Sequence, residues 1–238
     1  MKFCFFIGYS ASGHSVIGAI IDAHRNAIVS HEIHAIQLII DGMGKKALFD
    51  KIKTQSASQS RNRCSAKHTG KGKLHHHSLG LHQGKAENIR IIGDKRGGAT
   101  SMAFISNTKF KLEKVRKIIS IPLKVILISR NPYDIASITG VQHIIDANIG
   151  IRNLIKFLNE DEIIYIKSEE LIRSPRNTII DLCHFLELEP YEEFLDICSN
   201  HVFENPSEPR HNCEWSILIK KAIKGIIDEC KWFQGYKF

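Results

Sequence analysis

The chain has 238 residues, of which 43% are hydrophobic and 24% charged, and its formal net charge is +8. These values are typical of a globular protein with one sizeable core, and they exclude a disordered or fibrous chain. No apolar run reaches the roughly 20 residues that cross a bilayer as a helix, so a membrane-spanning class is also excluded. We expect a single domain over residues 1–238, which opens on a buried strand rather than a signal peptide.

The six cysteines are scattered along the chain, and no two of them form a C-x-x-C pair. This spacing argues against a zinc site and against a disulfide scaffold. We therefore predict reduced thiols, no metal and a cytoplasmic protein.

Five apolar runs have the length and composition of buried parallel strands, and they lie at residues 3–8, 27–30, 89–93, 125–129 and 163–167. Helical spacing of apolar residues follows Ser15 and Pro175, and another helix is predicted from Trp215 to Cys230. Strands that alternate with helices form right-handed βαβ units. The pattern predicts an α/β fold with a P-loop-like parallel sheet of about five strands and helices on both faces.

The segment from Lys53 to Glu87 departs from this pattern, because it is rich in Ser, Lys, His and Gly and nearly free of large apolar residues. The chain's basicity is concentrated nearby, since nine Lys or Arg and one acid lie at residues 45–73. We predict a long, basic and flexible surface excursion. Its His75–His77 run could suggest a metal, but a solvated loop is favoured. Nucleic-acid binding is not expected, because no aromatic residues are interleaved for base stacking.

A glycine-rich turn, GYSASGHS at residues 8–15, follows the first strand and precedes a helix. Backbone N–H groups and a helix dipole converge there, which favours an anionic phosphate group. Ser12 and Ser15 can add hydroxyl donors. The spacing is that of G-x-x-x-x-G-K-[ST], but His14 replaces the lysine that reaches the β- and γ-phosphates. The turn predicts an anion site, and only weakly an ATP site; a ligand-free glycine turn is the alternative.

A second candidate anion site follows the strand at residues 125–129. Arg130 stands at its carboxyl end, a proline-started helix comes next, and Ser137 lies two turns on. Arg130 and Ser137 are candidate phosphate donors, although Arg130 could instead pair with Asp134. Two anion sites at strand ends of one sheet suit a nucleotide that is phosphorylated at both ends.

Five sequence blocks between Phe3 and about Leu188 stand in the order found in one enzyme family. GYSASGHS is similar to its loop G-x-x-[KR]-S-G-[TS]-[TS], and ILISRNPYDIAS to its 3′-phosphate motif. YIKSEELIRSPRNTIIDLCHFLEL resembles its Y-E-D-L…P…FL segment, and IIGDKRGG its strand ending in a lysine. IIDAHRNAIVSHE is similar to the L-D-A-H-P…E stretch of one branch. The chain thus resembles the sulfotransferases that use 3′-phosphoadenosine-5′-phosphosulfate (PAPS), with similarity to bacterial members and to the tyrosylprotein branch.

This resemblance implies the sulfotransferase fold and transfer of a sulfuryl group from PAPS to a hydroxyl acceptor such as a glycan, peptide or small molecule. It places Arg130 and Ser137 at the 3′-phosphate. It places the 5′-phosphosulfate against six loop residues, namely Ser10, Ala11, Ser12, Gly13, His14 and Ser15.

The resemblance also assigns catalytic roles. Glu32 corresponds to the base of the tyrosylprotein branch, although it could instead cap the helix that begins near Ile33. Lys95 corresponds to the lysine that stabilises charge on the sulfuryl oxygens. His31 is a second candidate base, and His14 or Lys95 could compensate for a cation that the loop lacks.

That cation is missing because Ala11 stands where the family has Lys or Arg. In addition, the spacing from Arg130 to Ser137 is one residue shorter than usual, and Ser168 replaces a tyrosine. A non-catalytic, nucleotide-binding relative is therefore an alternative function. A Mg²⁺-dependent small-molecule kinase is a weaker one, for which Asp94 would have to hold the metal.

Overall fold

The computed structural model describes residues 1–63, 79–202 and 204–238. Its centre is one five-stranded sheet in the order β2-β3-β1-β4-β5, and every neighbouring pair of strands is parallel. The strands are β1 (Lys2–Gly8), β2 (Ala27–His31), β3 (Ile91–Lys95), β4 (Leu123–Ser129) and β5 (Ile163–Lys167). The predicted number, order along the chain and parallel sense of the strands are confirmed.

Helices cover both faces of the sheet. The side chains of a strand alternate between its two faces, and because consecutive residues of β1 and β4 are apolar, both faces have apolar side chains to bury. On one face Phe3 and Phe5 pack into a core with residues of α2 to α7 and α11, and on the other Phe6 packs with α1 and α8 to α10. The helices are α1 (His14–Ala23), α2 (Ala35–Ile40), α3 (Lys45–Arg63), α4 (Gly97–Ala103), α5 (Thr108–Ile119), α6 (Pro132–Thr139), α7 (Val141–Ile155), α8 (Ser168–Arg173), α9 (Pro175–Leu186), α10 (Glu192–Asn200) and α11 (Ile217–Glu229).

The sequence predicts a flexible surface excursion that begins at Lys53, but the structure has a helix at the first residues of this segment. Residues 53–63 continue α3, and Ser56 and Gln59 on that helix are buried. Ser56 donates a hydrogen bond to Asp22 at 2.7 Å. The side-chain amide of Gln59 accepts a hydrogen bond from the His31 N–H and donates one to the His31 carbonyl, at the end of β2. Serine and glutamine gave no apolar periodicity, so the contact of this helix with the sheet was missed. The His75–His77 run lies outside the described residues.

The described part of the chain contains neither a candidate membrane-spanning helix nor a candidate metal-binding cluster. No helix there combines the length and apolarity needed to cross a membrane. Nor do three or more His, Cys, Asp or Glu side chains come together there in a way that could hold a metal ion.

Candidate functional site

The glycine-rich turn lies at the carboxyl edge of the sheet, at the end of its central strand. β1 has β3 on one side and β4 on the other, so the loop of residues 9–13 emerges where the strand order reverses. In open α/β sheets this switch point is where ligands bind. The other four strands are parallel to β1 and end at the same edge of the sheet. Lys95 is the last residue of β3, and Glu32, Arg130 and Ser168 directly follow β2, β4 and β5.

Two glycines allow the loop to take its path. Gly8 has φ +137°, and a Cβ there would stand 2.3 Å from the Ile128 carbonyl oxygen. Gly13, at φ +87°, is the N-cap of α1. The Gly8 N–H donates to the Ser101 hydroxyl at 2.9 Å, which fixes the start of the loop to α4. Only glycine fits the first position, because any side chain would collide with the neighbouring strand.

His14 faces the protein interior. Its Nε2 donates to the Ile7 carbonyl at 3.2 Å, and the ring fills the space against Gly97, where a Cβ would lie 2.1 Å from Nε2. Burial lowers the pKa of His14 to about 4, so the imidazole is neutral near pH 7. The geometry thus gives His14 a supporting position under the loop, whereas its predicted contact with the anion stays a prediction.

The other loop residues differ in how they meet solvent. Ser10 and Ala11 are exposed, and Ala11 has a positive φ of 65°. The Ser10 N–H donates to Nε2 of His143 on α7 at 3.1 Å. Ser12 is fully buried, and its hydroxyl has no hydrogen-bond partner within the described residues. Such an orphaned hydroxyl is costly unless a bound group satisfies it.

Lys95 forms the centre of a charged cluster on the β2 and β3 side of the loop. Its ammonium donates to the Glu32 carboxylate at 2.8 Å and to the Ser15 hydroxyl at 3.2 Å, and it lies 3.3 Å from Nε2 of His31. The Arg96 guanidinium donates to the other Glu32 oxygen at 2.8 Å. The structure therefore brings together Glu32 and Lys95, two of the three predicted catalytic residues, with the second candidate base His31 and with Ser15 in the first turn of α1.

The cluster sets the charge states of its members. Partial burial alone would raise the pKa of Glu32, but the hydrogen bond and charge of Lys95, with the charges of His31 and Arg96, lower it to about 2. Burial lowers the pKa of Lys95, and Glu32 offsets part of this effect. At neutral pH Glu32 is thus a carboxylate that is hydrogen-bonded to Lys95 and Arg96. In this ligand-free arrangement its low pKa makes it a poor proton acceptor.

Asp94 has a different role from the one that a kinase would need. Its carboxylate accepts hydrogen bonds from the Ser30 hydroxyl at 2.9 Å and from the backbone N–H groups of Ile33 and Ala35 at 3.1 and 3.0 Å. Asp94 is buried, and it is this residue rather than Glu32 that satisfies the start of α2. The carboxylate is therefore committed to the turn after β2, which disfavours a Mg²⁺ site there.

We expect Asp94→Asn to lower the free energy of unfolding by about 1–3 kcal/mol, because an amide cannot accept all three hydrogen bonds. Denaturant unfolding measures this loss, and Asp50→Asn, which changes an exposed residue of α3, serves as the control. Mg²⁺-dependent ATP binding that is present in the wild type and absent from the Asp94 variant would contradict the structural role.

Arg130 forms the opposite side of the loop, as the sequence predicts for the second anion site. Its guanidinium donates to the Ala11 carbonyl at 2.9 Å and to the backbone and hydroxyl oxygens of Ser207 at 2.6 and 2.7 Å. Beside it lies a cavity of about 260 Å³ that Gly13, Val16 and Ser168 also line. The cavity begins at the first turn of α1, so one ligand could touch both Arg130 and the loop.

Sequence reasoning missed Arg210, which reaches the same region from the far end of the chain. Its guanidinium donates to Asp134 at 2.6 Å, and the Arg130 and Asp134 side chains are 3.9 Å apart. The predicted pairing of Arg130 with Asp134 is thus shared with a second arginine. Ser137 donates to the Asp134 carbonyl of its own helix at 2.8 Å, so its predicted phosphate contact stays a prediction.

The chain's C-terminal residues brace the loop, and no motif indicated this. Trp232 donates to the Tyr9 hydroxyl at 2.8 Å, and Tyr9 in turn donates to Asn148 at 3.0 Å. Tyr236 donates to Glu169 at 2.5 Å, while Glu169 also accepts the Asn131 N–H at the end of β4. These contacts join residues far apart in sequence, which only the folded chain reveals.

The five-stranded parallel sheet with helices on both faces matches the sulfotransferase α/β fold, as comparison with solved structures shows. The chain is similar to the sulfotransferase domain of the olefin synthase from Synechococcus PCC 7002, with a TM-score of 0.50 and 14% identity over 98% of this chain and 88% of that one. Sulfotransferase STF9 from Mycobacterium avium has a TM-score of 0.53 and 9% identity, over 96% of this chain and 76% of the other.

No protein-family model matches the sequence, and no curated protein matches it at a significant level. At 9–14% identity the structural likeness establishes the fold. The resemblance to the tyrosylprotein branch stays a prediction.

Proposed function

We propose that the protein transfers a sulfuryl group from PAPS to a hydroxyl acceptor. The observation that carries this proposal is the placement of two cationic side chains, Lys95 and Arg130, on opposite sides of the glycine-rich loop. Lys95 contacts the loop-proximal end of α1 through Ser15, and Arg130 contacts the loop itself through Ala11. A donor with phosphate at one end and phosphosulfate at the other matches this separation of charge.

The residues present fit such a donor in three respects. The buried Ser12 hydroxyl needs a partner, and an oxygen of the 5′-phosphosulfate could supply it. The first turn of α1 offers backbone N–H groups and a positive dipole end. The cavity beside Arg130 has apolar walls from Val16 and Leu171, which suit a nucleoside between the two charged ends.

In the proposed reaction the acceptor oxygen forms a bond to sulfur while the bond from sulfur to the phosphate oxygen breaks. The Lys95 ammonium stabilises the charge on the transferring and leaving oxygens. The dianionic phosphosulfate of the donor competes with Glu32 for that ammonium. Glu32 then loses one of its two cations, its pKa rises, and it takes the acceptor proton as 3′,5′-bisphosphate leaves.

Two measurements test the proposal in sequence. A radiolabelled-sulfate transfer screen across sugars, phenols, peptides and lipid alcohols should identify an acceptor. Isothermal titration should show that 3′-phosphoadenosine 5′-phosphate binds more tightly than 5′-AMP. Absence of binding by both nucleotides would reject a PAPS site.

A second candidate function, a nucleotide-binding relative without catalysis, is favoured by Ala11. The loop carries no cation of its own at that position, and Glu32 rests as a weak base. In this reading the same site would hold the nucleotide as a ligand.

The Ala11→Arg substitution separates the two functions. Alanine already has a Cβ at φ 65° and is exposed, so arginine adds no new backbone strain. For a degenerate enzyme we expect the transfer rate, undetectable in the wild type, to become measurable in this variant. The gain should be roughly 10²-fold or more, which is the effect of one charge-stabilising donor on kcat. Ala11→Gln is the control for added bulk. Robust wild-type turnover would reject the non-catalytic function.

A further inference from the structure

The outer edge of β2, the strand that leads into Glu32, is covered by side chains. In the described part of the chain β2 pairs with one strand only, β3. The backbone groups on the other side of an edge strand lack a ladder partner, and buried ones need a partner from elsewhere. The Val29 N–H donates to the Asp22 carboxylate at 2.8 Å. His31, the last residue of β2, donates its N–H to the Gln59 side chain at 3.0 Å and accepts from it at its carbonyl at 2.9 Å.

Gln59 of α3 thus takes the place of a neighbouring strand at one residue. Its side chain is buried, as is that of Ser56 one turn earlier on the same helix. The Ser56 hydroxyl donates to Asp22, which also holds Val29. The helix is therefore joined to the edge of β2 at two successive levels, and the second of these lies directly before Glu32.

The bond from Gln59 to the His31 carbonyl bears on the backbone of Glu32. That carbonyl belongs to the peptide group between His31 and Glu32, and the N–H of the same group donates to the Lys95 carbonyl at 3.1 Å. The peptide group is held at its oxygen by α3 and at its N–H by β3. It precedes the φ torsion of Glu32, which is +64°, in the left-handed region that residues with a Cβ rarely adopt. Such a conformation persists only where the surrounding contacts hold it.

This conformation decides where the Glu32 carboxylate lies. With φ at +64° the carboxylate reaches both Lys95 and Arg96 at 2.8 Å. A different φ would turn the Cα–Cβ bond of Glu32 relative to β3, at whose end both cations lie. Asp94 fixes the turn after Glu32 through two backbone N–H groups. Gln59 fixes the residue before it.

We propose that Gln59 is a positioning residue, which holds the peptide group between His31 and Glu32 so that the Glu32 carboxylate faces Lys95. This role deepens the proposed transfer reaction and rests on it, because Glu32 is the base there. The placement of the carboxylate is measurable without any transfer. No motif indicates Gln59, since it lies in a polar stretch of α3.

Titration of the Glu32 carboxyl group by ¹³C NMR tests the placement, and the Glu32→Gln variant assigns its resonance. In the wild type the pKa of Glu32 should be about 2. Gln59→Leu keeps a side chain of similar size and removes both hydrogen bonds. In this variant the pKa of Glu32 should rise toward its ordinary value of 4.5, because the carboxylate moves away from its two cations.

Ser56→Ala is the matched control, because it removes a buried hydrogen bond from the same helix but not from the residue before Glu32. It should leave the pKa of Glu32 unchanged. A Gln59→Leu variant that is folded by circular dichroism and has the wild-type pKa at Glu32 would overturn the proposal.

Amide hydrogen exchange in the wild type is a second test, which does not depend on the folding of a variant. The His31 N–H should exchange slowly, since Gln59 accepts its hydrogen bond inside the protein. Exchange at the rate of an exposed amide would show that Gln59 does not hold this peptide group in solution, and the proposal would be wrong.

The transfer reaction separates positioning from donor binding. A catalytic group that is displaced by about 1 Å costs roughly 10²-fold in rate, so Gln59→Leu should lower kcat by that factor. The affinity for 3′-phosphoadenosine 5′-phosphate should stay unchanged. Loss of nucleotide affinity together with kcat would point to general damage and contradict the positioning role. If the wild type itself transfers no sulfuryl group, the proposed function fails, and the titration of Glu32 decides the role of Gln59.

Discussion

Replacing Lys95 with methionine is expected to lower the rate of sulfuryl transfer by roughly 10²–10³-fold, the cost of losing one preorganised charge-stabilising donor. The ammonium contacts Ser15, Glu32 and His31, so its removal takes away the charge at the centre of the cluster. Methionine retains the aliphatic stem that packs on Gly18. The decrease should appear in kcat, measured with saturating donor.

Lys124→Met is the matched control for this variant. Lys124 is also a buried lysine on a strand, but it lies near the start of β4 and its ammonium donates to the Asp161 carbonyl. The Lys124→Met substitution should therefore alter stability and leave kcat nearly unchanged. Equal losses of kcat in both variants would indicate that buried lysines act through folding, and the catalytic role of Lys95 would be withdrawn.

Replacing Arg130 with alanine is expected to abolish the preference for 3′-phosphoadenosine 5′-phosphate over 5′-AMP. A hydrogen bond to a charged group contributes about 1.5–3 kcal/mol, which corresponds to a preference of roughly 10- to 100-fold. In the free protein the guanidinium contacts Ala11 and Ser207, and a bound 3′-phosphate would compete for these donors. Isothermal titration of both nucleotides measures the preference directly.

The affinity for 5′-AMP serves as an internal control, because it should change little if the loop keeps its shape. Arg176→Ala removes an arginine that pairs with Glu192 and Asp196 on the surface, and it should retain the full preference. If the Arg130 variant still prefers the 3′-phosphorylated nucleotide, Arg210 is the next residue to test, and the assignment to Arg130 is wrong.

The general form of the fold could be predicted because buried parallel strands read as continuous apolar runs. The run at residues 125–129 lies within β4, and the run at 163–167 is β5 itself. The third strand was predicted two residues too early, at 89–93 instead of Ile91–Lys95. Polar Asp94 and Lys95 fall outside an apolar pattern, although their side chains are buried by partners from other elements.

The candidate site was predictable where it consists of strand ends. Glu32, Lys95 and Arg130 each follow or end a strand, so a parallel sheet must bring them to one edge. The state of each group was not predictable from the sequence. Glu32 is held by two cations, and His14 turns inward to the Ile7 carbonyl, because the packing of α1 and α4 leaves it that space.

The sequence by itself determined the parallel sheet, the glycine loop at its first strand and the residue types around that loop, since these depend on local apolar periodicity and on backbone freedom at glycine. Only the tertiary structure decided that Asp94 serves a turn, that Arg210 joins Arg130 through Asp134, and that Trp232 holds Tyr9 under the loop. The bonds from Asp94 to Ala35, from Arg210 to Asp134 and from Trp232 to Tyr9 join residues 59, 76 and 223 positions apart, and side-chain hydrogen bonds at such separations leave no period in the sequence.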